Sequence, residues 1–432
     1  MVESDRLAAS QLQRLFATAV ECFEAGDILA GQATLEDLLT KVPDHPQVLN
    51  FLAVTVHRGG NPAKALALLK RAIAVLPGFA EAWNNLGQLA LELGDSEAAI
   101  EAFTTLRQLA PDHPDPIINL AHALQAGGRC GDAIEPYREG LAKLPNHPSA
   151  WTALCRALLF EGRWREAVAA ADCQLAIRPG QSGALALKSV ALQELGATEA
   201  WLELVDFDRL IEAFEIAVPA GYADLTAFNR ALSDYCQNHP TLEYAPKDKT
   251  TELGYQSANL AGELRSPIAD LLAIVGDCAD RYRAARPLVF GHPYLGQRPE
   301  NWHYDIWATV LESGGHQASH IHRDGWLSGV YYAQVPAVIN GQELSDDNAG
   351  WIEFGRPQFY PKAQAAPVTR CYPPAEGRLY LFPSYFYHRT VPFQSETRRI
   401  SIAFDLLPGP KTREVRLGAT GVADRLPAAI AV

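Results

Sequence analysis

The chain has 432 residues, which is too long for one ordinary hydrophobic core and predicts at least two domains. Hydrophobic residues make up 48% of it and charged residues 20%, a composition that excludes a disordered chain. The formal net charge is -13, and neither half contains a long run of lysine and arginine. These charges argue against a general binder of nucleic acid or of anionic membranes.

The start of the chain and its cysteines indicate the compartment. No basic stretch followed by an apolar segment begins the sequence, and no apolar run approaches the length of a membrane span. The seven cysteines are scattered and never form a C-x-x-C pair, which fits reduced thiols. We therefore expect a cytoplasmic protein that binds neither nucleic acid nor membrane.

A period of 34 residues runs through the N-terminal half. It is carried by prolines and glycines, namely Pro43, Pro77, Pro111, Pro145 and Pro179, and Gly26, Gly60, Gly94, Gly128, Gly162 and Gly196. Two residue types that keep one interval over five cycles indicate a structural repeat. Each glycine is predicted to end the first helix of a pair and each proline the second, because of their backbone limits.

The repeat resembles the tetratricopeptide repeat over about residues 12–215. Trp83-Asn84-Asn85-Leu86-Gly87 reproduces the W-x-x-L-G start of that repeat. The resemblance implies an all-α superhelix with a concave groove for another polypeptide. It places Asn85 and Asn119, one period apart, on the concave wall, where their amides would bind the backbone of an extended peptide. The alternative is that both are solvated helix residues.

The period fades after Gly196, and residues 197–236 are predicted to form helices that close the stack. The polar residues 238–251 are typical of a passage between domains. We predict a repeat solenoid over residues 1–215, a capping helix and linker over 216–240, and a second domain over 241–432.

The second domain is predicted to contain strands that follow one helix, around residues 268–283. Short strand-like runs separated by turn residues are Tyr304 to Leu311, Leu327 to Val335, Trp351 to Phe354, Arg378 to Phe382 and Ile400 to Leu406. They predict an antiparallel jelly roll, or double-stranded β-helix. The fold class is therefore expected to be α + β, with an all-α solenoid before the barrel.

Histidines within the barrel region suggest a metal site. In an extended strand His320, His322 and Asp324 would share one face, and His388 would join them from a distant segment. Two histidines and one carboxylate form the facial triad of non-haem iron oxygenases. We prefer His322, Asp324 and His388, because a carboxylate balances ferrous charge. A set of His320, His322 and His388 is the open alternative.

The same region resembles the 2-oxoglutarate/Fe(II) oxygenases over about residues 300–407. The resemblance is carried by H-x-H, by Ser328-Gly329-Val330-Tyr331-Tyr332, and by Phe382-Pro383-Ser384 before His388. The chain is more distantly similar to aspartyl/asparaginyl β-hydroxylases, which also join tetratricopeptide repeats to an oxygenase barrel. The resemblance implies Fe(II), 2-oxoglutarate and O2 as cofactor and co-substrates, and puts His320 at the usual first-ligand position.

A basic residue is expected to anchor 2-oxoglutarate. Arg399 and Ser401 form R-x-S, and Arg399 lies eleven residues after His388, which matches the resemblance. A guanidinium can bind the distal carboxylate through two parallel charge-assisted hydrogen bonds. Further hydroxyls are expected from Tyr332, Ser328 and Thr309.

These patterns predict a dioxygenase that hydroxylates a residue of a protein or peptide substrate. The repeat groove favours a polypeptide, because so long a surface exceeds what recognition of an amino acid requires. Two alternatives are an inactive barrel in an adaptor protein, and a cupin-like dioxygenase that uses three histidines without 2-oxoglutarate.

Overall fold

The computed structural model describes residues 2–247, 249–263, 265–340 and 348–409, with side chains from residue 12 onward except that of Asn340. The chain forms two compact units, and the second begins at Trp151. No helix in the described residues is both long and apolar enough to cross a membrane. The predicted domain bounds stay a prediction, but the division near residue 150 groups the later helices with the sheets.

The first unit is all-α in its described part. Neighbouring helices of this unit pack on each other in chain order. They are α1 (Val2–Glu24), α2 (Ile28–Lys41), α3 (Pro46–Arg58), α4 (Pro62–Val75), α5 (Ala80–Glu92), α6 (Ser96–Leu109), α7 (Pro114–Ala126) and α8 (Cys130–Lys143). The tetratricopeptide architecture predicted from the period is confirmed.

The period reflects how each helix ends and begins. The periodic glycines have φ between +64° at Gly196 and +84° at Gly60, a left-handed conformation that glycine adopts without strain. One residue later, Asp27, Asn61 and Asp95 cap the next helix, because each side chain accepts a backbone N–H three residues on. The caps keep the same interval of 34 residues.

Small residues of the repeat allow close helix packing. Ala65, Ala99 and Ala133 are fully buried. At Gly87 a Cβ would lie 2.6 Å from the Phe103 ring, closer than real Cβ contacts, so the glycine of W-x-x-L-G is required by the neighbouring helix.

The second unit begins with further helices. They are α9 (Ala150–Phe160), α10 (Trp164–Ile177), α11 (Ser182–Glu194), α12 (Thr198–Leu204), α13 (Phe207–Leu210), α14 (Leu225–Gln237), α15 (Pro267–Ala285) and α16 (Ala337–Asn340). Helix α15 confirms the predicted helix around residues 268–283. The prediction that residues 197–236 are helical was wrong at residues 212–215, which form a strand that buries Phe214 against the barrel.

Two antiparallel sheets follow. Their strands are β1 (Glu212–Glu215), β2 (Glu243–Tyr244), β3 (Thr251–Gln256), β4 (Trp302–Gln317), β5 (Leu327–Gln334), β6 (Ile352–Phe354), β7 (Arg370–Tyr372), β8 (Arg378–Pro383), β9 (His388–Thr390) and β10 (Arg399–Pro408). The larger sheet has the order β1-β8-β5-β10-β4-β3-β2, and the smaller β7-β6-β9. The five predicted strands are β4, β5, β6, β8 and β10, which confirms the jelly-roll prediction.

Helices of the second unit support the barrel directly. The Ser182 hydroxyl at the start of α11 donates to the Gly325 carbonyl at 2.7 Å. The Tyr385 hydroxyl donates to the Leu204 carbonyl of α12 at 2.5 Å. Because Gly325 lies in the loop that contains His320 and His322, and Tyr385 in the turn that precedes His388, these buried hydrogen bonds fix both segments.

Candidate metal centre

His320 and His322 lie just after the long strand β4, which ends at Gln317. His320 forms an isolated bridge with His388, and both of its N–H to O distances are 3.0 Å. The His322 N–H donates to the Ser384 carbonyl at 2.9 Å. The chain then bends at Arg323 and Asp324, and both residues are exposed. The expected strand alternation therefore stops before Asp324.

Three histidines converge at this point. Among the described residues, His320, His322 and His388 form a group whose possible ligand atoms all lie within 4.8 Å of one another. Asp324, which the sequence favoured as the third ligand, is not in this group because its side chain follows the bend into solvent. The geometry favours His320 over Asp324 as the third ligand.

The hydrogen bonds of the three rings orient their nitrogens. The Nδ1 atoms of His320 and His388 lie 2.7 Å and 2.9 Å from the carbonyls of Ala318 and Phe386. Carbonyl oxygens only accept hydrogen bonds, so each Nδ1 carries the proton and each Nε2 presents a lone pair. The same tautomer follows for His322, whose Nδ1 lies 2.8 Å from the Asp405 carboxylate.

The distance between two of these lone pairs suits a shared cation. The Nε2 atoms of His322 and His388 lie 3.2 Å apart. With metal–nitrogen bonds of about 2.1 Å, this distance corresponds to an angle of about 100° at the metal, close to neighbouring positions of an octahedron. Two lone pairs at this distance repel each other unless a proton or a metal ion lies between them.

Burial favours the neutral imidazoles that a metal requires. Burial, followed by the neighbouring His322, lowers the pKa of His320 to about 4. Burial, followed by His320 and His322, holds the pKa of His388 well below its ordinary value. Both imidazoles are therefore neutral near neutral pH, and a metal has no proton to displace from their Nε2 atoms.

Asp405 contacts the histidine site, and the sequence reasoning missed it. Its carboxylate accepts from His322 on one oxygen and, on the other, from the Ser328 hydroxyl at 2.6 Å. Ser328 also lies 2.8 Å from the Ser384 hydroxyl. Ser328, expected to bind 2-oxoglutarate, therefore supports the histidine site, because the β5–β10 register places it opposite Asp405. Asp405 lies an even number of residues after Arg399 and Ser401 on the same strand. Strand alternation could therefore have predicted that its side chain shares their face.

We expect Asp405→Asn to weaken metal binding by roughly 10- to 100-fold, the range typical for a residue that orients a ligand from behind. An amide lacks the negative charge that holds the Nδ1 proton of His322. Anaerobic Fe(II) titration measures the effect. Asp305→Asn is the control, because the Asp305 carboxylate accepts a hydrogen bond from Asn259 and not from a histidine of the site. An unchanged affinity would exclude this role for Asp405.

An indole forms one wall of the centre. Trp307 of β4 stacks on His322 with ring centroids 5.5 Å apart and an interplanar angle of 29°. Phe354 and Phe382 pack on His388 at 6.0 Å and 4.8 Å. These aromatic contacts restrict the rings of both histidines and limit water around them.

Arg399 is buried, and no carboxylate of the described residues is paired with it. It is 2% exposed, its Nε has no hydrogen-bond partner, and one terminal nitrogen lies 3.4 Å from the Ser401 hydroxyl. Its guanidinium carbon lies 4.9 Å from the centre of the Tyr332 ring. Burial lowers the pKa of Arg399, and the nearby Tyr332 partly offsets that effect.

Other predicted anchor residues surround this guanidinium. Thr309 of β4 and Tyr332 of β5 both lie opposite Ser401 of β10 in the strand register. The hydroxyls of Thr309 and Tyr332 are buried and, like Arg399 Nε, have no hydrogen-bond partner within the described part of the chain. Buried polar groups are normally satisfied, so this cluster fits an absent anion with several acceptor oxygens.

The two asparagines of the repeat groove lie in the first unit. Asn85 donates to Asn50 at 2.9 Å, and Asn119 lies 3.4 Å from Asn84. Both are half-buried. Asn85 also lines a pocket with His57, and the role of Asn85 and Asn119 in peptide binding stays a prediction.

Comparison with protein families matches two regions of the chain. Residues 305–405 match the family described as "Putative 2OG-Fe(II) oxygenase". Residues 16–74, 58–114 and 118–182 match the family described as "Tetratricopeptide repeat". The first match contains all three histidines and Arg399, and the second contains the 34-residue period.

Individual relatives match over part of the chain. DnaJ homolog subfamily C member 3 of Rattus norvegicus is 25% identical over 138 residues, or 32% of this chain and 27% of that protein. Its Homo sapiens counterpart is 26% identical over 147 residues, or 31% of this chain and 29% of that protein. The matched region thus spans less than a third of the length of these relatives.

Solved structures are similar over a comparable share of the chain. A structure of PilF from Pseudomonas aeruginosa is 17% identical, with 47% of this chain and 93% of that chain covered and a TM-score of 0.40. A structure of MamA is 22% identical, with 39% of this chain and 92% of that chain covered and a TM-score of 0.37. A structure of YrrB is described as that of a TPR protein with an unusual peptide-binding site. It is 17% identical, with 40% of this chain and 91% of that chain covered and a TM-score of 0.37.

Proposed function

We propose that this chain, a tetratricopeptide-repeat protein with a domain of the 2OG-Fe(II) oxygenase family, is a 2-oxoglutarate- and Fe(II)-dependent dioxygenase. The observation that carries the proposal is the buried, unpaired guanidinium of Arg399 in the same barrel as three converging histidines. Hydroxylation of a residue in a protein or peptide substrate is the proposed outcome.

His320, His322 and His388 are the proposed iron ligands. Three neutral imidazoles leave the charge of Fe(II) uncompensated, and Asp405 behind His322 supplies one negative charge without touching the metal. The keto-acid carboxylate of 2-oxoglutarate would supply the other, and its distal carboxylate would be balanced by Arg399. Asp324, the ligand preferred from the sequence, is therefore not needed for charge balance.

Arg399 is the proposed anchor for the distal carboxylate of 2-oxoglutarate. A guanidinium and a carboxylate form two parallel hydrogen bonds, and the free Nε of Arg399 is available for one of them. The hydroxyls of Thr309, Tyr332 and Ser401 can donate to the remaining lone pairs. Because this cluster is buried, the ion pair would form away from competing water.

When bound, Fe(II) and 2-oxoglutarate would supply the chemistry in which O2 hydroxylates a C–H bond while 2-oxoglutarate becomes succinate and CO2. The protein residues hold and orient these groups. Each Nδ1–H bond fixes one imidazole, Trp307 restrains His322 by stacking, and Arg399 fixes one end of the co-substrate.

The polypeptide substrate is proposed from the repeats. Tetratricopeptide repeats generally bind proteins or peptides in their groove. The groove residues Asn85 and Asn119 have amide groups that can pair with an extended backbone. The predicted domain bounds, 1–215, 216–240 and 241–432, are kept as part of this proposal.

Anaerobic addition of 2-oxoglutarate to the Fe(II)-loaded protein tests the proposed function. A visible charge-transfer band is expected, followed in air by succinate formation. With candidate peptides, mass spectrometry should detect the gain of one oxygen atom, and His388→Ala is the control.

Other outcomes would select a rival function. Oxygen consumption with substrate but without 2-oxoglutarate would support a three-histidine dioxygenase, for which the histidine set is suited. The absence of both iron and 2-oxoglutarate binding would support an adaptor protein.

A further inference from the structure

A row of polar side chains crosses four neighbouring strands of the larger sheet. In an antiparallel pair, residues directly opposite each other lie on the same face, with their Cβ atoms about 4.5–5.5 Å apart. The register joins four such residues in order from β3 through β4 and β10 to β5, namely Gln256, Thr309, Ser401 and Tyr332. The last three belong to the proposed anion site around Arg399, and Gln256 extends the same row by one strand.

Gln256 is buried, and its amide is held at one end. The residue is 7% exposed, and its side-chain oxygen accepts a hydrogen bond from the Thr251 hydroxyl at 2.9 Å. A glutamine amide has one oxygen that accepts and one nitrogen with two N–H donors, so this bond leaves both donors for another partner. Within the described part of the chain, the amide nitrogen has no hydrogen-bond partner. Unlike the Thr309 hydroxyl, this nitrogen is not fully enclosed.

The backbone of β3 is distorted where Thr251 reaches this amide. Thr251 and Gln256 are five residues apart, a separation that would span about 17 Å in a regular strand and place the side chains on opposite faces. The β3–β4 register shifts between Glu252 and Gly254, and Leu253 has φ +50°, a left-handed conformation that is strained for leucine. Such irregularities are common beside functional sites, where they redirect a side chain.

We propose that Gln256 donates a hydrogen bond to the distal carboxylate of 2-oxoglutarate, and that Thr251 is the positioning residue that orients its amide. This inference rests on the proposed function and adds to its co-substrate site two residues that lie outside the R-x-S motif. A carboxylate only accepts hydrogen bonds, and the bond from Thr251 prevents the amide from turning its oxygen toward the anion. Because the amide is neutral, it leaves the charge balance between Arg399 and the carboxylate unchanged.

Anaerobic titration of the Fe(II)-loaded full chain with two keto acids tests the inference. 2-Oxoglutarate has both ends, whereas 2-oxobutyrate has the keto-acid end and lacks the distal carboxylate, and the charge-transfer band gives each Kd. Gln256→Met keeps the length of the side chain and removes its donors. It should weaken 2-oxoglutarate binding by about 10- to 100-fold, as for a hydrogen bond to a charged group. Its Kd for 2-oxobutyrate should equal that of wild type, which shows that the iron site is intact.

Thr251→Val keeps the shape of the side chain and removes its hydroxyl. We expect a smaller loss of 2-oxoglutarate affinity, about 2- to 10-fold, because the amide keeps its donors and loses only its fixed orientation. Binding of 2-oxobutyrate should again be unchanged. Gln334→Met is the matched control, because the Gln334 amide donates to the Arg398 carbonyl, and it should leave both Kd values at the wild-type level.

Two results would overturn the role of Gln256. One is an unchanged affinity of Gln256→Met for 2-oxoglutarate, and the other is an equal loss for both acids, which would indicate a structural role. Wild-type affinity of Thr251→Val for 2-oxoglutarate would overturn the positioning role of Thr251. In each of these cases wild-type protein still forms the charge-transfer band, whereas its absence would contradict the proposed function and this inference together.

Discussion

His320→Ala is expected to reduce Fe(II) affinity by about 100-fold or more, whereas Asp324→Asn should leave it unchanged. The loss of a direct ligand should exceed the roughly 10- to 100-fold effect of removing a residue behind a ligand. The Nδ1 of His320 is hydrogen-bonded to the Ala318 carbonyl, which leaves its Nε2 free to bind a metal, and His320 belongs to the group of three converging histidines. Asp324 lies beyond the bend and is exposed.

Anaerobic titration with Fe(II), followed by the charge-transfer band with 2-oxoglutarate, measures both variants. Circular dichroism should show that each is folded, since the His320–His388 bridge uses backbone atoms and survives the change. Normal iron binding by His320→Ala together with a large loss in Asp324→Asn would restore the two-histidine, one-carboxylate set preferred from the sequence.

The fold was largely predictable because its signals are local. The 34-residue period follows from glycines with positive φ and from alanines at close helix contacts, and both depend on residue type alone. Strands such as β5 and β10 were predictable from their apolar runs. Strand β1 was not, because only pairing with β8 distinguishes Glu212–Glu215 from a short helix.

The site was predictable only in part, because its third ligand depends on where a strand ends. Strand parity placed Arg399 and Ser401 on one face, and both lie in the continuous ladder between β10 and β4. The same rule fails at Asp324, because β4 ends at Gln317 and the chain bends. Asp405 was missed because its contact with the site is a hydrogen bond to His322, a residue 83 positions earlier in the chain.

Arg399→Met is expected to stabilise the protein without co-substrate and to abolish most 2-oxoglutarate binding. A buried charge without a counterion costs free energy, and an apolar side chain of similar length removes this cost, so unfolding should require about 1–4 kcal/mol more. Loss of one partner from a buried charge pair costs about 2–5 kcal/mol, which weakens 2-oxoglutarate binding by roughly 30-fold to several thousand-fold.

Urea denaturation with and without 2-oxoglutarate separates the two effects. Wild-type protein should gain stability from the co-substrate, about 2.7 kcal/mol when its concentration is 100 times Kd, whereas Arg399→Met should gain little. Arg398→Met is the matched control, because Arg398 is exposed and paired with Glu312. If Arg399→Met were less stable than wild type and still stabilised by 2-oxoglutarate, Arg399 would be a structural residue. Arg399→Met is thus expected to raise the stability of the protein without co-substrate and to weaken co-substrate binding. Both effects have one cause, because Arg399 is a buried cation whose counterion is the co-substrate.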